Sequence, residues 1–304
     1  MSVAEKMTAI ANAIRNKTGK TDKLSLDEMA TEINEISTGE RDINPEWTDW
    51  RYFSYYDSRN DLVAKLKYSA TSNGTNFSYM FPNCSNLTSI PQFDTSNGTD
   101  FSNMFRNCSS LTSIPMLDTS NGTNFSGMFR YCSSLTNIPE LDTSNGTDFS
   151  YMFGNCSSLT SIPELDLSKT TTISDMFRGS GTISKALNIE GLNTINVTDF
   201  SYAFYGSYVV RIGKINLSKA TKVTGFINQN YLEEFYVEGE IAISGLSLSS
   251  CQKLTHDSLM SIINALADKT SASGTWKVTL GSTNLAKLTA DEIAIAEGKG
   301  WTLA

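Results

Sequence analysis

Positive charge and histidine are scarce in this chain, and their scarcity excludes two classes of function. The 304 residues carry 24 Lys and Arg against 32 Asp and Glu, with one His and a formal net charge of −8. Between residues 71 and 166 the only cations are Arg106 and Arg130. Binding along a nucleic-acid backbone requires clustered Lys and Arg, so we expect no nucleic-acid partner.

Catalytic signatures are also missing. The single histidine, His256, stands in a Thr-His-Asp-Ser sequence that predicts the start of a capped helix. We find no nucleophile elbow, no phosphate-binding loop and no carboxylate pair that stands apart from repeat positions. The sequence therefore predicts no enzyme, no catalytic residues, no bound metal and no cofactor.

Long apolar runs are absent as well. No stretch of about 18 apolar residues occurs, so we expect no membrane insertion. The first 20 residues alternate charged and apolar positions, where a secretory signal needs an uninterrupted apolar stretch. We therefore expect no export through a cleaved signal of this kind.

What the chain does contain is a 24-residue unit repeated four times without a gap, at 71–94, 95–118, 119–142 and 143–166. The second copy reads TSNGTDFSNMFRNCSSLTSIPMLD, and weaker copies continue to about residue 254. A fixed period of this length is typical of a solenoid, in which each unit buries its apolar face by stacking on its neighbours. The predicted fold is an α/β solenoid of 24-residue coils with a parallel sheet formed between coils.

Each unit is predicted to contain a short helix. Thr99 is placed to cap it, and Asn97-Gly98 is placed to form a positive-φ turn before it. Four apolar residues then follow at spacing i, i+3, i+4 and i+7, which is the stripe of a two-turn helix. They are Phe101, Met104, Phe105 and Cys108.

A short strand is predicted after this helix. Its apolar positions are Leu111, Ile114 and Leu117, and the turns around it are too short for strands to pair within one unit. We therefore expect the strands of successive units to pair in parallel.

Two polar or reactive residues recur once in every unit. The cysteines are Cys84, Cys108, Cys132 and Cys156. They are interpreted as buried thiols, although neighbours in such a column can also lie close enough for a disulfide. A serine in their place is expected to leave its hydroxyl without a partner. The acids are Asp94, Asp118, Asp142 and Asp166. They either accept hydrogen bonds from the following backbone or form a calcium ladder, for which the unit lacks the usual spacing.

The sequence NCSSLTSIP with an upstream DFSxMF resembles the BspA-like class of leucine-rich repeats, including a variant with a Met-Phe pair found in bacterial surface proteins and phage genes. The resemblance covers about residues 71–254. It implies an arc with the parallel sheet on one face, and it implies adhesion. The opening AEKMTAIANAIRNKTGKTDKLSLDEMATEI and the ending TLGSTNLAKLTADEIAIAEGKGWTLA are similar to segments of phage virion proteins.

Four regions are predicted along the chain. Residues 1–40 form a helical hairpin, 41–70 an aromatic-rich cap or linker, 71–254 the solenoid and 255–304 an α/β C-terminal cap. The hairpin has apolar stripes for attachment to other virion proteins or for homo-oligomer formation, at Met7, Ile10, Ile14, Met29, Ile33 and Ile36. The aromatic residues between 47 and 56 either seal the first coil or stack on sugar rings.

These features together predict a phage virion protein, synthesised in the bacterial cytoplasm. We expect a receptor-binding or tail-fibre-like adhesin that contacts a host glycan or protein. The alternatives are a capsid-decorating or head-fibre protein and a bacterial surface adhesin. The predicted contact surface consists of positions that vary between units, namely Gln92, Met116, Glu140 and Glu164 after the proline, and Tyr79, Asn103 and Tyr151 in the helix.

Overall fold

The computed structural model describes residues 71–182, 187–189 and 192–304. The predicted hairpin with its stripes and the aromatic-rich segment 41–70 lie outside these residues and stay predictions.

Successive units lie on one another with their backbones parallel. Isolated parallel bridges join residues 24 apart in a series from Asn76 to Thr172, and the series continues to Asp199 and Lys222 at spacings of 27 and 23 residues. Further backbone bonds flank each bridge, such as Phe101 N to Asn124 O at 2.9 Å. The period of the sequence is therefore also the period of the hydrogen bonding between units.

The segment predicted as a two-turn helix is a pair of consecutive turns, so that prediction is wrong. Met104 N donates to Phe101 O at 3.2 Å, three residues back, and positive φ angles of 54° and 61° occur at Asn103 and Asn107. A left-handed residue at every fourth position gives a backbone period of four. That period keeps positions i, i+3, i+4 and i+7 on one side, as a helix would, and all four side chains of this stripe are buried.

The cap and the turn before this segment also differ from the prediction. The Thr99 hydroxyl donates to Thr75 O of the preceding unit at 3.1 Å, while the carboxylate of Asp100 accepts from Ser102 N at 2.9 Å. Gly98 has no positive φ. A Cβ on it would collide with Cζ of Phe101, so glycine is required there because the ring covers it.

Residues 111–117, which were predicted to form a strand, form no regular strand. The backbone of this segment donates one bond to the preceding unit, from Thr112 N to Thr88 O at 3.4 Å. Leu111, Ile114 and Leu117 are buried, as their spacing predicts. Most of the bonding between units therefore belongs to the turn segment and not to this one.

Regular strands occur from residue 187 onward. They are β1 (Leu187–Ile189), β2 (Phe204–Tyr205), β3 (Val209–Asn216), β4 (Ile227–Asn228), β5 (Glu234–Glu238), β6 (Leu246–Ser247), β7 (Trp276–Thr279) and β8 (Trp301–Leu303). Three parallel sheets result, in the orders β1-β3-β5, β2-β4 and β6-β7-β8.

Stacked phenylalanine rings form the centre of the repeat core. One column contains Phe81, Phe105, Phe129, Phe153, Phe177 and Phe204, with ring centroids 5.2 to 5.9 Å apart. A second column runs from Phe77 to Phe149 at 5.2 to 5.7 Å. Each ring thus buries its faces only when both neighbouring units are present, which makes the units interdependent.

The C-terminal part has three helices, α1 (His256–Ala265), α2 (Ser282–Leu285) and α3 (Ala290–Gly298). The capped helix predicted at the Thr-His-Asp-Ser sequence is confirmed, because Thr255 accepts from Ser258 N; Thr289 forms a capping box with Glu292 at the start of α3. α2 and β8 were not predicted. None of the described helices has the length and apolar character of a membrane-spanning segment.

Candidate binding surface

The variable positions predicted as a contact surface fall into two separate parts of each unit. Gln92, Met116, Glu140 and Glu164 are all exposed, and Met116 is 67% exposed. The Gln92 amide donates to Met116 O at 2.6 Å. The first three of these residues line one groove of about 590 Å³ together with Asp118 and Asp142. We call these five groove residues, Gln92, Met116, Asp118, Glu140 and Asp142, the acidic column.

The other predicted positions lie in the turn segment and share a strained backbone. Tyr79, Asn103 and Tyr151 have φ angles of 52°, 54° and 60°, and Gly127 in the same column has 62°. Asparagine and glycine accept this left-handed conformation readily, whereas a bulky residue in it costs about 1 to 3 kcal/mol. Variation in this column is therefore limited by the backbone, and tyrosine occurs there at an energetic cost.

A second left-handed column, which the sequence reasoning missed, lies four residues further along each unit. It contains Asn83, Asn107, Tyr131 and Asn155, with φ between 60° and 64°. The signal was the recurring Asn before each Cys, because asparagine is the non-glycine residue that most readily takes this conformation. Tyr131 interrupts the asparagines and is 38% exposed.

Arginines pack on tyrosines of the turn segment, most of which belong to these two columns. The Arg130 guanidinium carbon lies 5.0 Å from the Tyr131 ring centroid and 4.2 Å from that of Tyr151. Further along, the Arg178 guanidinium lies 5.5 Å from Tyr202 and 5.3 Å from Tyr205. We call these six residues the tyrosine–arginine ladder; such cation–π contacts hold both partners in a fixed orientation.

The arginines of the array differ in how their charges are compensated. Arg178 forms an ion pair with Asp175 at 2.9 Å. By contrast, the guanidinium groups of Arg106 and Arg130 make no hydrogen bond or ion pair within the described part of the chain, and the Nε atom of each is buried without a partner. Partial burial of Tyr151 and its hydrogen bond to Asp175 raise the pKa of that phenol. Two uncompensated cations thus lie in the turn segment of an acidic chain.

A shallow groove of about 500 Å³ runs beside the ladder. Its lining consists of one tyrosine with amide and hydroxyl side chains, namely Asn83, Ser85, Asn107, Ser109, Tyr131, Ser133 and Asn155. The Asn107 amide donates to Asn83 Oδ1 at 2.6 Å, which fixes the direction of both amides. The groove and the ladder share Tyr131, and we call them together the turn surface.

The cysteine column is buried and reduced among the described residues, as the sequence predicts. Each thiol also has a partner that was not foreseen. Cys108 donates to Phe81 O at 3.0 Å, Cys132 to Phe105 O at 3.0 Å and Cys156 to Phe129 O at 3.1 Å. Burial raises the pKa of the Cys156 thiol to about 12, so this thiol is protonated at neutral pH.

The aspartate column accepts backbone hydrogen bonds, as predicted. Ser120 N donates to Asp118 at 3.1 Å and Ser144 N donates to Asp142 at 3.0 Å. Within the described ranges no group of three or more His, Cys, Asp or Glu side chains is arranged to hold a metal ion. His256 lies 2.9 Å from a carboxylate oxygen of Glu292 at the C-terminal module, far along the chain from the turn surface.

A family model described as Mycoplasma protein of unknown function, DUF285, matches residues 52–162, 75–189 and 136–234. Together these matches cover more than half of the chain. The chain belongs to the DUF285 family. It is therefore a BspA-like repeat protein, as the sequence resemblance indicates. Searches of curated proteins and of solved structures found no match.

The DUF285 matches overlap along the repeat region. The first two begin 23 residues apart, which is close to one unit, and the turn surface lies within the span of the three matches, residues 52–234. The left-handed asparagines and the stacked phenylalanines are therefore part of the DUF285 region, whereas helices α1 to α3 lie beyond it.

Proposed function

We propose that this chain is a phage virion protein that binds the surface of a host bacterium, as a receptor-binding or tail-fibre-like adhesin without enzymatic activity. The DUF285 units stack as a solenoid, of which the turn surface is the contact face. The hairpin at 1–40 attaches the protein to other virion proteins and joins copies into a homo-oligomer. The module at 255–304 closes the other end of the array.

The observation that carries this proposal is the presence of tyrosines at strained positions of an exposed surface. Asn107 and Asn155 occupy the same place as Tyr131 in the neighbouring units and fit the backbone better. A ring at Tyr131 that is 38% exposed recovers little of the strain through burial. Strained residues and exposed Tyr and Arg are typical of binding sites, where they contact a partner.

The stacked architecture suits this function. Equivalent residues of successive units recur at the distance between neighbouring strands, which is about 4.8 Å. A surface of this kind presents the same side chains repeatedly, and binding at several steps adds up along the array. The predicted virion location rests on the resemblance of the two ends of the chain to phage proteins.

The proposal is tested by electron microscopy of virions labelled with an antibody to this chain, together with binding of the purified full-length protein to host cells. We expect label at the tail and cell binding that is lost in the double variant Tyr131→Asn, Tyr151→Asn. Label confined to the capsid would instead support the capsid-decorating alternative. Protein found on bacterial cells without phage would support the bacterial adhesin.

A further inference from the structure

We propose that the turn surface binds an acidic polysaccharide, a polymer of sugar rings that carry carboxylates, with the polymer lying along the stacked units. This inference rests on the proposed function, since it names the ligand of the same surface. It follows from three properties of the surface: uncompensated cations, exposed rings and a row of amides and hydroxyls.

The cations point to an anionic ligand. The four complete units contain no Lys, and their only arginines, Arg106 and Arg130, are both in the turn segment. The acids Asp118, Asp142 and Glu140 lie around the groove of the acidic column and leave both guanidinium groups unpaired. A carboxylate that accepts from the two terminal nitrogens of a guanidinium forms a bidentate, charge-assisted pair, so these two groups suit an anionic ligand.

The tyrosines point to sugar rings. Tyr131 and Tyr151 lie on either side of Arg130, within 5.0 Å and 4.2 Å of its guanidinium carbon. The C–H face of a sugar packs on an aromatic ring, while its substituents remain free to form hydrogen bonds. A sugar placed on one of these rings brings its carboxylate to the edge of Arg130.

The groove supplies partners for hydroxyl groups. Asn83, Asn107 and Asn155 recur at intervals of 24 or 48 residues, and serine hydroxyls lie beside them. An amide both donates and accepts, as a sugar hydroxyl does, so each unit offers complementary polar groups to the next sugar of a chain. A sulfated polymer with several charges per sugar would also meet the arginines, but the net charge of −8 opposes it more than it opposes a polymer with one carboxylate per sugar.

The test measures binding of the full-length protein to polygalacturonate and alginate by titration calorimetry and affinity electrophoresis. Dextran is the neutral comparison and dextran sulfate the sulfated one. We expect binding to at least one of the two carboxylated polymers and none to dextran. Arg130→Gln and Tyr131→Asn should each weaken binding about tenfold or more, as loss of a charge-assisted contact or a stacking contact does.

Two controls separate loss of the site from loss of the fold. Lys169→Gln removes an exposed cation that lies outside the turn surface and bonds to Asn145 at 2.7 Å, and it should leave binding unchanged. Tyr131→Asn places in this unit the residue that the neighbouring units have, so its melting temperature should be unchanged or higher. Reduced binding by a variant of undiminished stability is the result that a merely structural tyrosine would not give.

Three outcomes overturn the inference even if a carboxylated polymer is bound. They are equal binding to dextran, stronger binding to dextran sulfate than to the carboxylated polymers, and an equal loss of binding in Lys169→Gln. If host cells are bound through the turn surface but neither carboxylated polymer is bound, the polysaccharide is wrong and the adhesin proposal stands. If cells are not bound at all, the proposed function itself fails.

Discussion

Replacement of a column cysteine tests how the core of each unit is stabilised. Cys132 is buried, and its thiol donates to Phe105 O of the preceding unit at 3.0 Å. Two units further along, Ser180 occupies the same position, and its hydroxyl donates to Phe153 O. The structure thus already contains the serine version of this contact, which corrects the expectation that a serine hydroxyl would lack a partner.

The expected magnitudes follow from these contacts. Cys132→Ala removes a buried sulfur and its bond, which together cost about 1.5 to 3 kcal/mol. Cys132→Ser also loses the apolar sulfur, but its hydroxyl is a stronger donor than a thiol and regains about 1 kcal/mol. Phe105 O keeps its bond from Cys108 N at 3.0 Å in either variant. Serine is therefore expected to be the milder substitution, by about 1 kcal/mol.

Equilibrium unfolding in guanidinium chloride measures this difference, provided that the m-values of the variants agree. Addition of reductant should not shift the wild-type curve, because the five cysteines are free. An alanine variant more stable than the serine variant would refute the reasoning, since it would mean that the hydroxyl remains unpaired in this core.

The side chains of a unit that are buried could be predicted from the sequence, whereas their backbone could not. Phe101, Met104, Phe105 and Cys108 are all buried, as the stripe predicts. A period of 3.6 and a period of 4 place the same four residues on one side over only eight residues, so spacing alone cannot separate helix from consecutive turns. Asn103 and Asn107 carried the missing information, since asparagine four residues apart suits left-handed turns and is a poor helix former.

The candidate site was likewise predicted only in part, because the backbone of the turn segment was not predicted. Variation between units drew attention to Tyr79, Asn103 and Tyr151, which do lie in the turn segment. Tyr131 and Arg130 were not singled out, because a helix would place neighbouring residues on different faces, whereas the turns bring the Arg130 guanidinium against the rings of both Tyr131 and Tyr151. The acidic column stays a prediction, since its residues share a groove but show no strain and no unpaired group.

Three further perturbations test the chemistry of single positions. Burial raises the pKa of Cys156 to about 12, so iodoacetamide at pH 8 should leave the native thiol unmodified and react only after unfolding, as mass spectrometry will show. The Ser144 hydroxyl and amide lower the pKa of Asp142. The stability that this carboxylate contributes is therefore fully present above its pKa in the unfolded chain, near 4, and is lost as the pH falls through its lower pKa in the folded protein. Asp142→Asn keeps an acceptor for Ser144 without titrating, and its melting temperature should therefore fall less steeply below pH 4 than that of the wild type. Gly122→Ala would place a Cβ 2.5 Å from Phe125 Cζ and 2.9 Å from Thr119 O, inside a close-packed core. Gly298→Ala, in helix α3, would place a Cβ that has no other atom within 4 Å. The first change should cost about 1 to 3 kcal/mol and the second should stabilise by up to about 1 kcal/mol, because alanine favours a helix and has no neighbour to displace there. Unfolding midpoints of the two variants decide the matter: an equal effect of both would mean that the ring of Phe125 does not cover Gly122 and that the units pack less tightly than the stacked phenylalanines indicate.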